Sequence, residues 1–147
     1  MYTNLLVPTD GSALSDKAVT HAIGLAQALK ARITAFYAAP DFPVPLYAEG
    51  IIFEPMSSSE YVNAAMLEAE KILDRVAAKA AEAGVECVKV HAVETPPWEA
   101  IISAARKSNC DAIVMASHGR SGLSALLLGS ETTKVLTHSK LPVLIVR

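Results

Sequence analysis

The chain has 147 residues, 52% of them hydrophobic and 19% charged, with a formal net charge of −2. That balance supplies a core and excludes a disordered tail, and its slight acidity argues against nucleic acid as the main partner. No apolar run approaches the ~20 residues of a membrane helix, and no basic segment followed by an apolar one opens the sequence, so a cytoplasmic protein without a membrane partner is expected.

Asn4 to Pro8 reads as a first strand, with Thr9-Asp10-Gly11-Ser12 as its exit turn. Ser12 can cap a helix from about Ala13 to Lys30, whose apolar face carries Val19, Ala22, Ile23, Ala26 and Leu29. Ile33 to Ala39 is a second apolar strand, and strand, crossover helix and strand make a right-handed βαβ unit with parallel strands. Residues 40–59 carry prolines and serines but also Phe42, Leu46, Tyr47, Ile51, Ile52 and Phe53. Such a stretch fits a lid or a partner-contacting flap as well as a plain solvated loop.

Ser57-Ser-Ser-Glu60 is a capping box that opens a helix to about Ala83, with Val62, Met66, Ala69, Leu73, Val76 and Ala80 as its buried stripe and Gly84 as its stop. Val85 to Val93 is a third strand, and Lys89 and His91 on one side suggest an edge position. Pro96 and Pro97 suit the first turn of a helix that runs to about Lys107, with Trp98 as a packing residue. Ala112 to Met115 is a short buried strand, followed by a glycine-bearing loop, Ser117 to Gly122. Ser130 is expected to cap a last helix from Glu131 to about His138, where a histidine complements the helix dipole. Pro142 to Val146 is a terminal apolar strand, and pairing with a second copy is one way to cover it. Cys87 and Cys110 lack metal-ligand spacing and read as small buried hydrophobes. Together these elements imply an α/β three-layer sandwich with a five-stranded, mostly parallel sheet in one domain, residues 1–147.

A strand feeding a glycine loop beside a helix N-terminus is an anion site, because free amides and the helix dipole both favour phosphate. The expectation is therefore a bound nucleotide near Gly119, Gly129, Ser130, Glu131 and Thr132. The two polar turns, after strands one and four, become neighbours if those strands lie side by side, and such sheets bind ligands where the strand order reverses. The familiar nucleotide loops G-x-x-x-x-G-K-[ST] and G-x-G-x-x-G are absent, as is the nucleophile elbow G-x-S-x-G. Asp10 and Arg120 are thin provision for phosphoryl transfer, which needs metal ligands, a positioned nucleophile and cations. No catalytic residue is assigned, and at most slow ATP hydrolysis is expected.

Val7-Pro8-Thr9-Asp10-Gly11-Ser12, Ser117-His118-Gly119-Arg120, Leu128-Gly129-Ser130 and Leu141-Pro142-Val143-Leu144-Ile145-Val146 together resemble the universal stress protein family, over the whole chain. The ATP-binding branch of that family carries a glycine, two residues, a glycine, nine residues and Gly-Ser or Gly-Thr. Gly119 and Gly129-Ser130 match this spacing, while Ala116 stands at the first glycine and adds a methyl near the expected path of ribose or phosphate. Gly122 lies outside the family spacing and lets the loop bend. The resemblance implies sheet order 3-2-1-4-5, an adenine nucleotide alpha hydrolase-like fold, and ATP, ADP or AMP as ligand, with or without magnesium. It places Pro8, Thr9 and Ala38 at the adenine, and Asp10 at the ribose hydroxyls or at a phosphate-bridging metal. The alternative for Asp10 is a turn residue bonding its own backbone. Arg120 is either a phosphate counter-charge or an exposed loop arginine, and His118 either contacts phosphate or fills the loop. The resemblance further implies a regulatory role in stress and a homodimer through Val143, Leu144, Ile145 and Val146. A dimeric interaction module of the same fold that takes no nucleotide is the alternative.

Overall fold

The computed structural model describes residues 1–38, 58–92, 96–120 and 128–147. Most of the expected lid or flap at 40–59 lies outside that set, as do Ser57 of the capping box and Gly122. The elements run β1 (Asn4–Thr9), α1 (Ala13–Leu29), β2 (Arg32–Ala38), α2 (Ser58–Glu82), β3 (Cys87–Ala92), α3 (Pro97–Lys107), β4 (Ala112–Ala116), α4 (Ser130–His138) and β5 (Val143–Val146). All five strands are parallel, in the order β3-β2-β1-β4-β5.

Strand alternation builds the layers. Leu5 and Val7 of β1, with Ile33, Ala35, Val114 and Ala116, join the α1 and α2 core, which includes Val19, Ile23, Ile72, Leu73 and Val76. Leu6, Phe36, Ile113 and Met115 point the other way, against Ile101, Ala104 and Ala105 of α3 and Val135 of α4. Successive side chains leave a strand on opposite faces, so near-continuous apolar strands feed two cores at once, as buried parallel strands must. Ser12 caps α1 as expected, its hydroxyl accepting from the Ser15 amide. β3 is an edge strand as expected, with Lys89 paired to Asp74 at 2.6 Å. Cys110 is buried and Cys87 half-buried, both as free thiols.

One expectation about α2 is corrected. Ala65, Ala69, Ile72, Leu73, Val76 and Ala80 are buried, but Val62 and Met66 are 37% and 40% exposed. Ala65 is buried although it precedes the exposed Met66, so the buried stripe is centred on Ala65, Ala69, Ile72 and Val76, and Val62 and Met66 lie to one side of it.

The pairing of β1 sets the stage for the site. With β2 it runs the whole strand, from Asn4↔Arg32 to Thr9↔Tyr37. With β4 the register holds Leu5↔Ala112 and Leu6↔Ile113, at the base. That base is tied by Asp111, which accepts from the Thr3 amide (2.7 Å), the Thr3 hydroxyl (2.8 Å) and the Asn4 amide (3.3 Å). Asn4 is buried beside it, donating to the Ser108 carbonyl and accepting from the Thr34 hydroxyl.

Burial pushes the Asp111 carboxyl up, but its hydrogen bonds from Thr3 and Asn4 outweigh that and hold it below the ordinary aspartate value. A depressed folded-state value gives stability that is complete above the unfolded value, about 3.9, and lost as pH falls through the folded one. Asp111→Asn is expected to lower stability at neutral pH and to flatten its decline with acid. Urea midpoints of both proteins between about pH 5 and pH 2 check this.

Candidate functional site

The chain order of the sheet reverses between β1 and β4. There, above the carboxyl ends of the strands, lies a cleft of about 250 Å³. Its floor is Pro8, Thr9, Met115 and Ala116, its walls are Tyr37 on the β2 side with Pro97 and Ile101 of α3, and its rim is Asp10, His118, Gly119 and Arg120 facing Gly129 to Thr132. The two polar turns expected to be neighbours do meet across it.

The β1 turn is built from its own side chains. Thr9 is buried, with its hydroxyl 3.0 Å from that of Ser15 and accepting from the Gly11 amide at 3.1 Å. Asp10 accepts from the Ser12 amide through Oδ1 at 2.9 Å, the turn bond anticipated for it. Its other oxygen, Oδ2, accepts from the Arg120 amide at 2.8 Å, joining the β1 turn to the loop after β4. Burial raises the Asp10 carboxyl, but hydrogen bonds from Ser12, Arg120 and Ser15 prevail and hold it below its ordinary value. It is an anion at neutral pH.

A Cβ at Gly119 would sit 2.7 Å from Asp10 Oδ2, so only glycine leaves room for that carboxylate. The Arg120 side chain crosses over Gly11 of the β1 turn to α2, its Nη2 3.3 Å from Glu68 Oε1, with both side chains about half exposed. His118 Nδ1 lies 3.2 Å from the Ser117 hydroxyl. Gly122 is outside the described residues.

At the start of α4 one expectation is corrected. Gly129, rather than Ser130, is the N-cap, and Ser130 is the first helical residue. The cause is the Gly129 amide, which donates to the Ser117 carbonyl at 2.8 Å and pulls the chain into the helix one residue early. That N–H is therefore engaged, leaving the amides of Ser130, Glu131 and Thr132 as those without intrahelical acceptors. Ser130 is exposed at the mouth, while the buried Thr132 donates its hydroxyl to the Ala116 carbonyl at 3.2 Å. The Glu131 carboxylate turns to α3, accepting from the Trp98 amide at 2.9 Å and pairing with Lys134 at 3.2 Å. It thereby serves α3, whose N-cap Pro96 offers no side-chain bond.

Ala116, expected near the ligand, is buried with the core on the α1 and α2 face and also lines the floor of the cleft. Ala38 ends β2 one residue beyond Tyr37, and its side chain lies outside the described set. Sequence reasoning missed Tyr37, Ser15, Pro97, Ile101 and Met115. Tyr37 stands in a β-branched and aromatic strand and reads as core. Its signal is positional, since it is paired with Thr9 at the strand ends. Burial raises the Tyr37 phenol above its ordinary range, so it faces the cleft as a neutral group. Among the described residues, no cluster of three or more His, Cys, Asp or Glu side chains could hold a metal ion.

A family model described as the universal stress protein family matches residues 1–147. The universal stress protein YxiE of Bacillus subtilis is 35% identical over 100% of this chain and 100% of its own. The solved structure of universal stress protein MJ0577 of Methanocaldococcus jannaschii is similar with a TM-score of 0.78 and 25% identity, over 99% of this chain and 96% of that one. A universal stress protein solved in complex with cAMP has a TM-score of 0.70 and 27% identity, over 99% of this chain and 97% of that one.

Gly11 has φ +76°, and a Cβ there would lie 2.7 Å from Ile72 Cδ1. Gly11→Ala is expected to destabilise the protein by about 1–2 kcal/mol from the left-handed backbone alone, and by more if Ile72 cannot yield. Thermal or urea unfolding measures it.

Proposed function

The chain belongs to the universal stress protein family, and from that premise we propose that it is an adenine-nucleotide-binding regulatory protein of the stress response. The observation that carries this reading is the cleft at the strand-order reversal, rimmed by the first turn of α4. The nucleoside sits between Pro8, Thr9 and Tyr37 on one side and Ile101 and Met115 on the other. The phosphates lie against the amides of Ser130, Glu131 and Thr132 and the Ser130 hydroxyl, where the helix dipole favours negative charge. Gly119 and Gly129 let the backbone come close, and His118 and Arg120 border the phosphate end. At about 250 Å³ the cleft is near the small end of ligand pockets, which run about 300–1,000 Å³, and it fits a mononucleotide whose phosphates extend outward.

Related structures include one holding cAMP, which supports an adenine nucleotide here. ATP, ADP and AMP are the candidates. Magnesium would arrive on the phosphates, as it commonly does. Arg120 pairs with Glu68 and is one cation among acidic neighbours, which suits binding better than rapid phosphoryl transfer.

The protein acts as a homodimer in the cytoplasm. β5 ends the sheet with one edge unpaired among the described residues, and Leu144 on it is 48% exposed, an edge that natural proteins cover. Val143 and Ile145 pack inward and fix its pitch. The two free thiols suit a reducing compartment.

Nucleotide released from the denatured purified protein and resolved by ion exchange tests the first claim. Titration with ATP and magnesium follows, in the wild type and in Ser130→Asp. An acidic residue in the first turn favours the helix by about 0.3–1 kcal/mol but repels phosphate. The expected result is unchanged or raised thermal stability with affinity at least tenfold weaker. Equal affinity removes the phosphates from α4, and no binding by the wild type leaves a dimeric interaction module that takes no nucleotide. For the dimer, Leu144→Glu is expected to halve the mass measured by light scattering. An unchanged mass removes β5 from the interface.

A further inference from the structure

Asp10 stands where a ligand contact would be sought, yet both of its oxygens already accept backbone N–H groups. Oδ1 takes the Ser12 amide at 2.9 Å, within its own turn. Oδ2 takes the Arg120 amide at 2.8 Å, across 110 residues of sequence. The second bond lies beyond the last ladder pair of β1 and β4, Leu6↔Ile113, at the carboxyl ends of the two strands. Gly119 is shaped around the same oxygen, with space for no Cβ beyond the 2.7 Å that separates it from Oδ2. Three observations thus converge on one contact: its length, its position beyond the last ladder pair of β1 and β4, and a neighbour trimmed to admit it.

We infer that Asp10 is the positioning residue of the cleft, holding the loop after β4 onto the β1 turn through the Arg120 amide, and that it acts on a nucleotide through that loop. A charged acceptor makes a shorter and stronger hydrogen bond than a neutral one. It is also the one long-range side-chain tie recorded from the Gly119–Arg120 backbone among the described residues. When the tie is released, Gly119 and Arg120 lose their hydrogen bond to the β1 turn, and the cleft loses one side of its rim. Its bearing on nucleotide affinity rests on the function proposed above; the tie itself does not.

The experiment begins without nucleotide. Trypsin cuts after arginine, so hydrolysis between Arg120 and Ser121 reports on the tie, measured by mass spectrometry against cleavage after Lys140. Asp10→Asn keeps an oxygen for the Ser12 amide but turns an NH2 group toward the Arg120 amide, donor against donor. Gly119→Ala displaces the same carboxylate from the other side. Each is expected to speed cleavage at Arg120 about tenfold, the factor lost with one charge-assisted hydrogen bond. The double variant should be no faster than the faster single one, because both remove the same contact. Circular dichroism identifies a variant that fails to fold, in which case the other carries the test.

ATP titration forms the second arm. If Asp10→Asn weakens ATP binding while cleavage at Arg120 stays at the wild-type rate, Asp10 is a direct ligand contact and the inference is overturned. Unchanged cleavage in both variants overturns it as well. Faster cleavage with no ATP binding by the wild type supports the tie and rejects the nucleotide, so the two ideas fail separately.

Discussion

The structure depends on what happens between β1 and β4. Elsewhere the sheet is closed along its strands: β1 follows β2 for its whole length, β2 follows β3 from Ile33↔Cys87 to Ala38↔Ala92, and β4 follows β5 from Ile113↔Val143 to Ala116↔Val146. At the reversal the ladder between the two central strands is confined to Leu5↔Ala112 and Leu6↔Ile113, at their base. An aspartate serves each end of this strand pair. Asp111 binds the base through Thr3 and Asn4, and Asp10 bridges the top through Arg120. Burial raises both carboxyls, but the hydroxyls and amides they hold outweigh it and draw both below their ordinary value, so both ties are strongest with the aspartates ionised.

The rim is made largely of backbone. Thr9, Asp10, Thr132 and Glu131 spend their side chains on the scaffold, on Ser15, the Arg120 amide, the Ala116 carbonyl and the Trp98 amide respectively. What remains open toward the cleft is the first turn of α4, the Ser130 hydroxyl and the apolar faces of Tyr37, Ile101 and Met115. Under the function proposed above, such a site takes an anion by geometry and dipole more than by charge, which a chain of net charge −2 can offer.

The fold was legible because burial leaves strong marks. Each strand is a short apolar run, α1 begins at a serine that caps it, and turns follow where the polar residues stand. The order of the strands was implied by family resemblance, since periodicity carries no information on which strands are neighbours. Where the site was misread, a tertiary contact overrode a local signal. Ser130 is a good capping residue, but the Ser117 carbonyl captures the Gly129 amide and moves the cap back by one. Asp10 showed its turn bond in the sequence and hid its bond to Arg120, 110 residues away. Tyr37 looked like core and is core, buried to 3% exposure, while one face still lines the cleft.

The junction of α3 and α4 has a further consequence. The chain's single tryptophan, Trp98, receives Glu131 from the first turn of α4 at its amide and lies 4.5 Å, ring centre to ring centre, from His138 in the last. Both ends of α4 thus converge on one residue, the first at its backbone and the last at its ring. Any tilt of that helix alters the polarity around the ring and its distance from the imidazole, and so shifts the colour and yield of the protein's own ultraviolet emission. The molecule carries a built-in optical gauge beside the helix that rims the cleft, readable without a dye or a label.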